Sequence, residues 1–119
     1  MKRILVVEDN EDNMLLVRFM LEETGYEVIE ARDGAEGVAL AVQEKPDLVI
    51  MDIQLPDIDG LEATKRIRAS EADAEIPIVA LTSFAMAGDR EKALAAGCTG
   101  YIEKPINPDT FIAEIEKYL

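Results

Sequence analysis

The sequence contains no histidine. That absence removes imidazole acid–base catalysis, His-ligated metal sites and a Ser-His-Asp triad. Cysteine is reduced to Cys98 alone, so neither an internal disulfide nor a cysteine-rich zinc site can form. A lone thiol beside Gly97 fits a small buried side chain in a tight turn, in a chain suited to a reducing cytosol. Cations are scarce: 12 Lys and Arg against 25 Asp and Glu give a formal net charge of −13. This balance opposes nonspecific nucleic-acid binding, which depends on cations facing phosphates, and docking on an anionic membrane. A protein, a metal ion or a cationic surface suits it better. Long apolar runs are also missing, with nothing near the roughly 20 residues of a membrane span. The opening Met1-Lys2-Arg3-Ile4-Leu5-Val6-Val7 is basic and then apolar, but Glu8-Asp9 ends it too early for a signal peptide.

What is present is an ordinary globular composition, 49% hydrophobic and 31% charged, over 119 residues. That length suits one domain, residues 1–119, with no room among them for a second folded unit. Short apolar runs alternate with helix-period stretches. Ile4–Val7 and Leu48–Met51 are continuous apolar runs that end in acid, as buried strands do. Glu27–Ala31 is less apolar and reads as an edge strand. Ile76–Leu81 reads as a strand with Pro77 in its first residues, and Tyr101-Ile102 opens a short last strand. Between them, Asp12–Thr24 carries Met14, Val17 and Leu21 at helical spacing and stops at Gly25. Ala35, Val38, Ala39 and Val42 form a second stripe that ends before Pro46. Gly60–Ala69 and Ala85–Ala96 read as helices, and residues 70–75 as a polar, exposed connection. Asn107-Pro108 caps a final helix lined by Ile112, Ile115 and Leu119. Five strands alternating with five helices imply an α/β fold, a parallel sheet with right-handed crossovers and helices on both faces.

In such sheets, chemistry gathers beyond the carboxyl ends of the strands. The first polar residues there are Glu8 and Asp9, Asp52, Thr82 and Lys104. Three carboxylates about 5 Å apart repel by roughly 3 kcal/mol per pair at an effective dielectric of 20. Lys104 offsets one charge. A hard dication with oxygen ligands offsets two more, and Mg²⁺ is the usual choice where a few carboxylates and several waters suffice. Mg²⁺ beside a carboxylate also brings a phosphoryl group to a nucleophile, and Asp is a known acceptor. Each residue has a plainer reading: Glu8-Asp9 as helix-start acids, Asp52 as a turn residue, Thr82-Ser83 as a strand-end cap, Lys104 as a surface cation. Their joint occurrence at successive strand ends favours the functional reading.

Four segments, in order and correctly spaced, resemble the receiver domain of two-component response regulators, the CheY-like superfamily. They are Val7-Glu8-Asp9-Asn10, Met51–Pro56 with Asp59-Gly60, Ala80-Leu81-Thr82-Ser83, and Tyr101–Pro105. The resemblance covers essentially the whole chain. Finer wording, such as Gln54-Leu55-Pro56, Phe84-Ala85-Met86 and Lys104-Pro105-Ile106, is similar to stand-alone receivers of the DivK type, and also to receivers fused to hybrid histidine kinases.

The resemblance implies a doubly wound (βα)5 sheet of strand order 2-1-3-4-5. It makes Asp52 the acceptor of a phosphoryl group from a histidine kinase or a histidine phosphotransfer protein. Mg²⁺, for which Mn²⁺ would also serve, would be held by Asp9, Asp52 and the Gln54 backbone carbonyl. Glu8 would complete the acid pocket through a metal-bound water, since it stands where many receivers have the shorter Asp. Thr82 and Lys104 would bind phosphoryl oxygens, and Lys104-Pro105 would carry a cis peptide. Tyr101 would be the switch aromatic, turning inward as Thr82 is drawn to the phosphoryl group. The surface of the fourth helix, fifth strand and fifth helix would then change for a downstream protein target, since no output domain is expected in residues 1–119, unless they are a piece of a larger chain such as a hybrid histidine kinase. Gln54 and Phe84 flank the acceptor and would modulate hydrolysis. The protein would be cytoplasmic, with neither nucleic acid nor membrane as partner, and would not be an enzyme toward other substrates.

Three rivals share the fold class. An aspartate-nucleophile phosphatase would want a second Asp where Gln54 stands. A flavin carrier would want a phosphate loop where Glu8–Asp12 would repel one. A phosphorylation-independent docking receiver would have lost part of the acid, acceptor and lysine set, all of which is present.

Overall fold

A computed structural model describes residues 2–70, 75–82 and 88–119. Ser83, Phe84 and residues 85–87, where the sequence places the start of the fourth helix, lie outside the described residues, as do residues 71–74 of the polar connection. The elements run β1 (Arg3–Val7), α1 (Glu11–Thr24), β2 (Glu27–Ala31), α2 (Gly34–Glu44), β3 (Leu48–Asp52), α3 (Gly60–Ala69), β4 (Ile78–Thr82), α4 (Asp89–Ala96), β5 (Gly100–Glu103) and α5 (Phe111–Glu116).

All strand pairs are parallel, in the order β2-β1-β3-β4-β5. This is the doubly wound arrangement expected, with β2 at one edge. Alternation along the strands divides the core. Ile4, Val6, Ile50 and Leu81 face α1 and α5, which contribute Met14, Val17, Leu21, Phe111 and Ile115. Leu5, Val7, Met51 and Ala80 face the other way, against Ala41 of α2, Ala63 and Ile67 of α3 and Ala93 of α4. Each fully buried Leu, Ile or Val contributes about 1.5–3 kcal/mol of transfer free energy. Cys98 belongs to this second cluster, is buried, and meets Thr64 Oγ1 at 3.7 Å. Burial pushes its thiol pKa up, away from a reactive thiolate.

Local chemistry sets the ends. Asn10, Asp33 and Asp59 each accept a backbone N–H three residues on, capping α1, α2 and α3. Gly25 ends α1 at φ +101°, a left-handed turn that glycine adopts without steric cost. Among the described residues, two boundaries differ from the sequence reading by two residues or more. β4 begins at Ile78, because Pro77 has no N–H to give the ladder, although its carbonyl still accepts from Val49 N–H at 2.9 Å. The last helix begins at Phe111: Asn107 caps a preceding turn, its Oδ1 accepting from Asp109 N–H at 2.9 Å. Its inward residues are therefore Phe111 and Ile115, with Ile112 and Leu119 only half-buried.

Candidate functional site

The parallel register carries the carboxyl ends of β1, β3, β4 and β5 to one rim. Val7 pairs with Met51, so Glu8 and Asp52 follow side by side. Asp52 pairs with Leu81, which puts Thr82 one residue further along that rim. Thr82 in turn pairs with Glu103, and Lys104 follows, its N–H donating to Thr82 O at 2.6 Å. Ligand oxygens of Glu8, Asp9 and Asp52 lie within 4.8 Å of one another. Glu8 and Asp52 are buried at 1% and 2% exposure, Thr82 is buried, and Asp9 is open to solvent. A pocket floor of buried acids with one exposed acid at the mouth is accessible to a hydrated ion.

Lys104 supplies the counter-charge. Its Nζ donates to Glu8 Oε1 at 3.0 Å and lies 3.2 Å from Asp52 Oδ2. Glu8 Oε2 also meets Asn10 N–H at 3.4 Å, and Asp52 Oδ1 accepts from Gln54 N–H at 3.1 Å. Burial raises the Glu8 pKa, reinforced by Asp52 and opposed by Lys104. Burial pulls the Lys104 ammonium down, but the hydrogen bond to Glu8 and the charges of Asp52 and Glu8 outweigh it, so its pKa rises. One ammonium thus faces two buried carboxylates and a third at the mouth. The excess negative charge and the all-oxygen donor set fit a hard dication such as Mg²⁺.

The Lys104–Pro105 peptide is cis. Tyr101 sits on β5 opposite Ala80, half-buried at the margin of the second core cluster. It lines a groove of about 460 Å³ between α4, β5 and α5, together with Arg90, Glu103 and Tyr118. Phe84 lies outside the described residues.

Three features were not anticipated from sequence. Gly60 is buried against the end of β3: a Cβ there would lie 2.2 Å from the Asp52 carbonyl oxygen. Asp57, in the loop after Asp52, bonds the start of α2. Leu15, Leu16 and Phe19 leave an apolar outer face on α1, with Leu15 and Phe19 each about 60% exposed.

With this rim in view, likeness to known proteins decides the family. The family model for the response regulator receiver domain matches residues 4–116. The chain belongs to the response regulator receiver family. The polar-differentiation response regulator DivK of Brucella anthropi is 48% identical over 118 residues, 99% of this chain and 96% of the relative. Among solved structures, the Vibrio cholerae chemotaxis protein CheY4 superposes with a TM-score of 0.94 at 32% identity, covering 100% of this chain and 99% of that one. The receiver domain of a sensor histidine kinase from Pseudomonas aeruginosa gives 0.90 at 38% identity, covering 98% and 96%. That structure holds a magnesium ion in its active site cleft. The receiver fold, the two-component signalling class and the DivK-like character follow from these matches.

Proposed function

We propose that Asp52 is the phosphoacceptor of a Mg²⁺-dependent switch. The observation that carries this reading is the convergence of Glu8, Asp9 and Asp52 within 4.8 Å beside the Lys104 ammonium. An Asp52 carboxylate oxygen attacks phosphorus, the P–N bond of a phosphohistidine breaks, and the electron pair leaves with the imidazole nitrogen. Asp9, Asp52 and the Gln54 carbonyl would hold the metal, with Glu8 reaching it through a water. When bound, Mg²⁺ supplies neutralisation of charge on the incoming phosphoryl oxygens. Lys104, already 3.2 Å from Asp52 Oδ2, takes one of those oxygens, and Thr82 takes another. Tyr101 reports the event to the groove it lines between α4, β5 and α5, where a downstream protein docks.

The donor is a protein carrying phosphohistidine, a histidine kinase or phosphotransfer domain. Its docking face is the outer side of α1. Leu16 and Asn13 border a groove of about 420 Å³ with Lys104, Pro105 and Ile106, immediately beside the acid pocket, and Leu15 and Phe19 extend the apolar surface. The DivK relatives match along 96% of their own length, which supports output by protein contact. Gln54, where a phosphatase would have a second Asp, supports an acceptor that turns over no external ester. Among the described residues no helix is long and apolar enough to cross a membrane, in keeping with a cytoplasmic site of action.

Incubation with acetyl phosphate and Mg²⁺, followed by intact mass and peptide mapping, tests the reading. One phosphoryl adduct on the Asp52 peptide, lost in Asp52→Asn and on chelation of Mg²⁺, is expected. Uptake elsewhere, or uptake indifferent to Mg²⁺, would overturn it.

A further inference from the structure

The loop after the acceptor strand, residues 53–59, is tied down at three points. Gln54 N–H donates to Asp52 Oδ1 at 3.1 Å, and Gly60 N–H donates to Ile53 O at 2.8 Å. The third tie crosses to another element: Asp57 Oδ1 accepts from Gly34 N–H and Oδ2 from Ala35 N–H, both at 2.8 Å. Helix α2 already has its own cap, since Asp33 Oδ1 accepts from Glu36 N–H at 2.8 Å. Asp57 therefore takes the first two N–H groups of the helix and Asp33 the third, which leaves Asp57 as the link between helix and loop rather than a substitute cap. The contact is close. A Cβ on Gly34 would lie 2.4 Å from Ile58 Cγ1, so the loop lies directly against the helix start. The Gly34 N–H bond, joined by that from Ala35 and opposed by burial, holds the Asp57 carboxyl at about 2, so the tie is charged throughout the physiological range.

The expected metal donors differ in how they are held. Asp52 ends β3, and Glu8 and Asp9 directly follow β1, whereas the Gln54 carbonyl belongs to the loop. We infer that Asp57 is a positioning residue for metal binding, latching the loop to α2 so that the Gln54 carbonyl, three residues upstream, is presented to the cation. This rests on the proposed reading of Glu8, Asp9, Asp52 and Gln54 as the metal site. Its physical basis is that a ligand acts at full strength only when its supporting groups fix its orientation beforehand.

The test uses the full chain and Mn²⁺ as probe, with affinity measured by electron paramagnetic resonance and amide hydrogen exchange measured without metal. Asp57→Ala is expected to lose exchange protection at Gly34 and Ala35 and to bind Mn²⁺ about tenfold more weakly. Asp57→Asn, which keeps one carbonyl oxygen, is expected to fall between. Asp33→Ala removes the helix cap but not the latch and is expected to bind as wild type does. Wild-type affinity in Asp57→Ala, or equal weakening in Asp33→Ala, overturns the latch while leaving the metal reading intact. A wild-type protein that takes up no Mn²⁺ overturns both.

Discussion

The Lys104 ammonium donates to the buried Glu8 carboxylate over 3.0 Å, joining residues 96 apart in sequence. Burial still leaves the Glu8 pKa above its ordinary 4.5. A carboxyl raised on folding contributes stability that is fully present below the unfolded value and is lost as pH rises through the folded value. The Glu8 contribution to the stability of metal-free protein should therefore be greatest below pH 4.5 and fall as pH rises from there. Lys104, also raised, titrates above 10.5 and does not change charge in that window. In Glu8→Gln this part of the pH dependence should vanish, as calorimetry from pH 4.5 to 7 would show. An unchanged slope would contradict the assignment.

Removing the cation alone should be costly. Lys104→Met leaves Glu8 and Asp52 facing each other without compensation, a loss of about 3–5 kcal/mol for a broken buried pair. Adding Glu8→Gln should restore much of it, because the uncompensated charge is gone. Urea unfolding of the four proteins at pH 7 without metal gives the coupling directly. Simple additivity would show that the pair does not interact.

Two glycines should respond differently to alanine. At Gly60 the new Cβ would lie 2.2 Å from the Asp52 carbonyl oxygen and 2.8 Å from Ile53 Cα, both backbone atoms. At Gly34 its nearest neighbours are side-chain atoms, Ile58 Cγ1 at 2.4 Å and Cδ1 at 3.0 Å, which yield more readily than backbone. Gly60→Ala should cost about 3 kcal/mol and slow phosphoryl uptake by shifting Asp52, whereas Gly34→Ala should cost nearer 1 kcal/mol. Denaturation midpoints and acetyl phosphate kinetics on both variants provide the comparison.

If the outer face of α1 docks the phosphohistidine protein, its loss should affect two kinds of donor differently. Leu15 and Phe19 lie one helical turn apart, exposed and away from the acid cluster's own contacts. Leu15→Ser with Phe19→Ser should weaken transfer from a phosphohistidine protein at least tenfold, through the apparent KM. Uptake from acetyl phosphate should stay as in wild type. Equal loss with both donors would locate the damage in the fold instead.

The central strands are legible in sequence because a strand covered on both faces reads as an unbroken apolar run, as in Leu48–Met51. The rim follows from them, since parallel register converts successive strand ends into neighbours. Contacts that cross between elements leave no such trace. Asp57 looks like any turn acid, because the amides it binds lie 22 and 23 residues upstream. Gly60 looks like a helix start, and its need for glycine comes from the Asp52 carbonyl packed against it. Leu15, Leu16 and Phe19 sit beside the inward stripe of Met14, Val17 and Leu21, and only the packed helix shows that they point outward. Pro77 misleads for a related reason: its carbonyl joins the sheet while its nitrogen cannot.

The separation between Glu8 and Lys104 has a consequence during synthesis. A ribosome-bound chain that has made β1 and β3 already carries the acids, whereas Lys104 follows β5, the last strand. The ammonium that balances the acid pocket is thus the last of its charges to be translated.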